Sequence, residues 1–180
     1  MGRKPVANAE KKIFREIVVL SKINTVNKIS TLDIASRMHL SETIIYSRFP
    51  TKKSLMKAAF TYCISELGNF SPFSFIVNNL SENESFETFR ECLEAIKDHE
   101  NEARYIIGYM QSEYFELQDL EDIDSLDVKK VEGTLDKIPL KQIEIAVKTY
   151  LNTLIYISLS SERDLDSVKY AYGLLPKIQL

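Results

Sequence analysis

Short hydroxyl side chains, an apolar tip and cations crowd into the stretch SETIIYSRFPTKK, residues 41–53. Ser41, Thr43 and Ser47 can donate to or accept from base edges and phosphates. Ile44 is shaped to touch a thymine methyl, and Glu42 can accept from a cytosine amino group. A carboxylate at that position can equally serve as a capping charge at the start of a helix. The chemistry on offer is therefore hydrogen bonding and apolar contact with a nucleic-acid surface, without bond making or breaking.

Such side chains need a small rigid frame. Two short helices crossing at a fixed angle, with small or apolar residues where they meet, supply one. Ala35 is the small residue, and Ile34, Met38, Leu40, Ile45 and Phe49 form the expected core. With Ile45 and Phe49 inward, Glu42, Thr43, Ile44, Ser47 and Arg48 face outward, a profile that fits a major groove. Ser41 is a good N-cap for this outward-facing helix, which is expected to reach about Arg48. The helix before it is expected over Thr31–Met38, with Leu32, Ile34, Ala35 and Met38 as its apolar positions.

The rest of the chain also has helical spacing, and no stretch alternates with period two. A first helix is expected over Asn8–Ile23 around Ile13, Ile17, Val18 and Leu20. Pro50 and Thr51 stop one helix and cap the next, Lys52–Leu67. Residues 68–83 form an expected loop rich in aromatics. Further helices are expected over 85–99, from Asn101 onward, from Pro139 to Leu159 and from Arg163 to Leu175, with an acidic loop over Glu116–Asp127. The fold class is all-α, with eight or nine helices. Residues 1–50 are expected to form a three-helix helix-turn-helix DNA-binding domain. Residues 51–180 form a helical regulatory and dimerisation domain, joined through a connecting helix at 51–67.

Charge follows the same division. The 180 residues carry a net charge of -3, but residues 1–60 hold 12 Lys and Arg against 4 Asp and Glu. Residues 61–180 hold 11 against 22. A basic third on an acidic body points to a polyanion-binding module. Cys63 and Cys92 lie far apart without metal-ligand spacing, which fits a reducing cytoplasmic location. No metal, cofactor or membrane contact is expected: the most hydrophobic stretch, Tyr150–Leu159, is too short to span a bilayer. His39 and His99 are the only histidines. A glycine-rich phosphate loop, a nucleophile elbow and paired cysteines are all absent from the sequence, so an enzyme is a distant reading.

The pattern over residues 8–60 resembles the DNA-binding domain of the tetracycline-repressor (TetR) family of bacterial transcription regulators. The residues that carry the likeness are Thr31, Ile34-Ala35, Leu40-Ser41, Ile45-Tyr46, Phe49, Lys52 and Leu55. The resemblance implies that Tyr46 and Lys52 hold phosphates, that Thr31 does so from the start of the second helix, and that residues 41–44 and Ser47 face bases. It also implies a twofold dimer through the last two helices. Arg3, Lys4, Lys11 and Lys12 would add a basic arm. Two positions depart from the family pattern: His39 stands where glycine is usual, and Ile44 replaces a smaller or hydroxyl residue.

In the body, Phe89, Leu93, Ile96, Tyr105, Tyr109, Met110, Tyr150 and Leu154 are candidates either for a plain core or for a pocket holding an amphipathic small-molecule inducer. Phe70–Val77 is a candidate lid. Leu151, Ile155, Val168, Tyr172 and Leu175 are the candidate dimer interface, because the helix ending at Leu159 is apolar nearly all round and must be covered on two sides. The expected function is a ligand-responsive regulator, a repressor, binding a palindromic double-stranded DNA operator as a homodimer. The alternative is a co-regulator that uses the same scaffold to bind another protein.

Overall fold

The computed structural model describes residues 6–68, 86–120, 139–159 and 165–173. Among them lie eight α-helices and no strand: α1 Val6–Leu20, α2 Thr31–Arg37, α3 Glu42–Tyr46, α4 Lys52–Leu67, α5 Phe86–Asp98, α6 Glu100–Met110, α7 Leu140–Leu159 and α8 Leu165–Gly173. Single 3₁₀ turns occupy Val26–Lys28 and Leu117–Leu120. The all-α class expected from periodicity is the observed one.

Local chemistry sets the helix ends. Ser30 accepts from the Asp33 N–H while the Asp33 side chain accepts from the Ser30 N–H, a reciprocal cap that starts α2. Thr51 and Ser54 make the equivalent pair at α4. Pro139 lies just before α7, where its carbonyl accepts from Gln142 and Ile143. The first helix is displaced from its expected limits: the chain turns at residues 21–24 instead of continuing to Ile23. The sixth ends at Met110, before the aromatics Tyr114 and Phe115.

α2 closes through paired bonds, Leu40 N–H to the Ala35 carbonyl at 2.8 Å and His39 N–H to the Ser36 carbonyl at 3.2 Å. That geometry requires a left-handed residue after the cap, and His39 supplies it at φ 54°. A Cβ is unfavourable there, while glycine gives back part of the gain through its freer unfolded chain. His39→Gly is therefore expected to stabilise the protein by about 0.5 kcal/mol. Urea unfolding of both proteins checks it; a clear loss of stability would mean that the histidine ring, not the backbone, secures this turn.

The core is continuous from Ile13 in α1 to Val168 in α8. α4 is its axis. It packs on α1 on one side and on α6 on the other, while α7 covers α5 and α6. Accordingly Leu55, Met56, Ala59, Phe60, Tyr62, Cys63, Ile64 and Leu67 are all buried, so apolar residues ring nearly the whole helix. The Tyr105 hydroxyl donates to the Met56 carbonyl at 3.0 Å, tying α6 to α4. Phe60 stacks on Tyr109 with ring centroids 4.6 Å apart. Of the core expected around the crossing of α2 and α3, Ile34, Ile45 and Phe49 are buried while Met38 and Leu40 are half-buried, and Leu32, an apolar position of α2, is 59% exposed.

Candidate nucleic-acid interface

α3 has only five residues, yet it is fixed on three sides. Ile45 and Phe49 are buried against Ile34 and Ala35 of α2 and Phe14 of α1. The Phe14 and Phe49 rings lie 5.6 Å apart. On its polar side the Thr31 hydroxyl donates to the Glu42 carboxylate. The Tyr46 hydroxyl lies 3.0 Å from the same oxygen. Because Thr31 has one proton and gives it to Glu42, Tyr46 is the donor in the second bond.

This network separates the candidate residues by where they sit. Ser41, Thr43, Ile44 and Ser47 are exposed on one side of α3. Ser41 occupies the N-cap position but makes no side-chain capping bond. Its hydroxyl is thus not consumed by the helix. Ser47 donates to the Ile44 carbonyl at 2.8 Å, and Arg48 reaches the same carbonyl through Nη1 at 3.3 Å. Glu42 is half-buried and turned toward Thr31. That placement favours its reading as a charge that braces α3 over contact with a cytosine. Thr31 is 5% exposed, and Tyr46 is 44% exposed. The phenol edge faces solvent while its hydroxyl is held.

Lys52 opens α4 but leans inward. Its ammonium donates to the Asn27 carbonyl at 2.8 Å and lies 5.2 Å from the centre of the Tyr114 ring. It also lies close enough to the start of α2 to help hold the Asp33 carboxyl below its ordinary range, after the larger effect of the Ser30 hydroxyl and N–H. Contact with a phosphate would require the side chain to leave Asn27. Lys11, from the expected basic arm, pairs with Glu66 at 3.7 Å; Arg3 and Lys4 lie outside the described residues.

A second set of contacts was not apparent from the sequence. α4 presents Lys53 and Lys57 to the turn after α6. Lys53 pairs with Glu116, and Lys57 with Asp119 at 2.8 Å. Asp119 is 2% exposed. It accepts from the Tyr109 hydroxyl at 2.8 Å and the Glu116 N–H at 2.9 Å. Burial pushes its carboxyl up, but Lys57 and those two donors outweigh burial and hold it below the ordinary range. Burial, and then the Asp119 carboxylate beside it, push the Tyr109 phenol up, so it stays a protonated donor. The spacing of Lys52, Lys53 and Lys57 on one helix was the available signal. Their partners lie too far along the chain to be read from local pattern.

The eight body residues considered for a pocket, Phe89, Leu93, Ile96, Tyr105, Tyr109, Met110, Tyr150 and Leu154, are all at most 7% exposed. They pack against one another, as with Phe89 edge-on to Tyr150 at 6.3 Å. The Tyr105 and Tyr109 phenols are engaged by Met56 and Asp119. The candidate lid, Phe70–Val77, lies outside the described residues. On the last helices, Leu151, Ile155 and Val168 are buried within the single chain. Leu175 lies outside the described residues, and α8 includes Tyr172. Among the described side chains of α7 and α8, the large hydrophobic ones left exposed are Ile145, Tyr156 and Tyr170, at 53%, 76% and 71%. No described helix is long and apolar enough to cross a membrane.

A short outward-facing helix, seated on a crossing helix and joined by a shared core to a larger helical body, defines an all-α fold with a helix-turn-helix unit. Such a fold is found in a crystal structure described as a tetR family transcription regulator from Shewanella sp. PV-4. The TM-score is 0.64 at 14% sequence identity, covering 92% of this chain and 95% of that one. No protein-family model and no curated protein sequence matches the chain.

Proposed function

We propose that this protein is a DNA-binding transcription regulator, a repressor that reads a palindromic operator as a homodimer and is released by a small molecule. The observation that carries the reading is the outer face of α3. Ser41, Thr43, Ile44 and Ser47 are exposed together, while Ile45 anchors the helix from below. Residues 1–50 are the reading unit, and 51–180 the regulatory and dimerising body. α4 serves as the connection because it shares its core with both.

The four exposed α3 side chains face bases, while Tyr46, Arg48, Lys52 and the start of α2 at Thr31 serve the phosphates. Ile145 and Tyr156 lie eleven residues apart, which places them on one face of α7. With Tyr170 of α8 they make the face best suited to a second copy. In such a dimer two α3 helices enter successive major grooves about 34–36 Å apart. An effector releases DNA only if it binds the unbound arrangement better than the DNA-bound one.

The test is a titration of the purified chain against genomic fragments, including its own upstream DNA, at two salt concentrations. Selective binding that weakens with salt is expected. Weak binding equal for all fragments would sink the reading and favour a protein-binding co-regulator. Lys52→Ala should weaken binding to all sequences alike and flatten the dependence of log affinity on log salt by about one unit per protomer. An unchanged slope would show that Lys52 stays with Asn27 and Tyr114 and serves the fold alone.

A further inference from the structure

Between the turn at Ser21–Asn27 and the outer face of α6 lies a cleft of about 530 Å³, open to solvent on one side. Its size is that of a small-molecule site. It is separate from the aromatic core of the body. Gly108 forms part of its wall, and a Cβ there would stand 3.3 Å from the Val26 side chain, so the missing side chain keeps helix and turn in close contact.

The lining is chemically one-sided. It includes Lys22 and Arg104 but no carboxylate, in a chain that is acidic overall. Arg104 uses Nε to hold Glu100 at 2.7 Å, and its planar fork carries two further nitrogens. The lining also includes Asn24, Asn27 and Gln111, together with the carbonyl end of α6, which favours hydrogen-bond donors. Arg104 and Gln111 are seven residues apart, about 10 Å along a helix. A ligand matched to this surface has an anionic group at one end and hydroxyls along the rest.

We propose that this cleft is an effector site for an anionic polyol, a sugar acid or a sugar phosphate. Asn27 connects it to the DNA-reading unit. Its carbonyl accepts from Lys52, and its side-chain oxygen accepts from the Glu113 N–H at 3.2 Å. The side-chain NH₂ remains to meet a ligand. A bound polyol that takes this donor fixes Asn27 and keeps Lys52 turned inward, so it lowers affinity for DNA. This consequence rests on the DNA-binding reading, whereas occupancy of the cleft does not.

The test uses the full chain at fixed ionic strength, following the amide resonances of Asn27, Gly108 and Gln111 by NMR. The probes are gluconate, glucose 6-phosphate, sorbitol as the neutral polyol, and inorganic phosphate. Saturable shifts with gluconate or glucose 6-phosphate, and none with sorbitol, are expected. Which of the two binds identifies the anionic group. Affinity should fall about tenfold or more in the Lys22→Gln, Arg104→Gln double variant. It should fall likewise in Gln111→Glu, which puts a carboxylate into the lining. Lys97→Gln, which removes an exposed charge outside the cleft, should leave the affinity for these ligands unchanged.

Inorganic phosphate producing the same shifts as both polyol anions would mean an adventitious ion only, and the proposal falls. It falls equally if neither polyol anion moves these resonances, or if the variants bind them normally. Shifts that saturate, in a protein that binds no DNA fragment, would uphold the cleft and remove the DNA reading. Saturation that leaves the affinity for a bound duplex unchanged would overturn the coupling through Asn27.

Discussion

Asp119→Ala should destabilise the protein by about 3 kcal/mol, a large share of the stability of an ordinary domain. The carboxylate is almost fully buried and meets three donors at once: Lys57, the Tyr109 hydroxyl and the Glu116 N–H. Removing it leaves the phenol and the amide without an acceptor in a site that water reaches poorly, and desolvated polar groups are expensive to leave unpaired. Lys57 is a third exposed and can turn to solvent, so it recovers part of the loss. The damage also spreads, because Tyr109 stacks on Phe60 of α4.

The pH dependence has a defined sign. Asp119 is held below its ordinary range in the folded protein, so the unfolded chain takes up its proton first as pH falls. Its contribution is fully present above the unfolded carboxylate value, about 4, and disappears as pH drops through the lower folded value. Asp119→Asn keeps the shape but removes this titration. Its urea midpoint should therefore change less than that of the parent between neutral pH and acid. Identical pH profiles for the two proteins, or a cost of Asp119→Ala under about 0.5 kcal/mol, would mean that these contacts have no energetic weight.

This cluster also marks the limit of what the chain discloses in one dimension. Helices are legible wherever periodicity and punctuation agree. α4 runs over Lys52–Leu67 as read, because Pro50, Thr51 and Gly68 bracket an unbroken apolar pattern. The turn at His39 was legible only through the family resemblance, in which glycine is usual at that position, and the backbone there is left-handed at φ 54°. Asp119 was not legible. It sits in an acidic stretch that looks solvated, and only the fold brings Lys57 and Tyr109 to it. Lys52 looks like a free cation at a helix start, yet its carbonyl partner is 25 residues away in the 3₁₀ turn Val26–Lys28, beyond the reach of any local pattern. α7 poses a third kind of ambiguity. A helix apolar nearly all round must be covered, but its sequence does not say which side its own chain covers. Leu151 and Ile155 face inward, and Ile145 and Tyr156 are left outside. Within the reading unit the register of α3 was legible in the burial of Ile45 and Phe49, but not its end, which falls at Tyr46 and not near Arg48, nor the partners of its polar side chains. Thr31 and Glu42 are eleven residues apart, with a helix and a turn between them.

That register makes the second large effect specific. Ile45→Ala should cost about 2–4 kcal/mol and lower affinity for any operator by about a hundredfold. Five residues are too few for an α-helix to persist on its own, since nucleation is unfavourable and few hydrogen bonds follow it. α3 is held chiefly by what its inward face buries, and Ile45, at 0% exposure, is the centre of that face. Once the side chain is truncated, the Thr31–Glu42–Tyr46 bonds must orient the helix alone, and net hydrogen bonds contribute only about 1 kcal/mol each. The body retains its own contacts among α4, α5, α6 and α7, so hydrogen exchange should quicken in residues 41–48 far more than in α6. The adjacent Ile44→Ala removes a side chain that is 39% exposed. It should leave the urea midpoint within about 0.5 kcal/mol of the parent and change the preference among DNA sequences instead. If the two variants exchanged these behaviours, with Ile44→Ala unfolding α3 and Ile45→Ala altering only sequence preference, the recognition face would have to be rotated by one residue. Tyr46 and Ser47 would then change places in the contact with DNA.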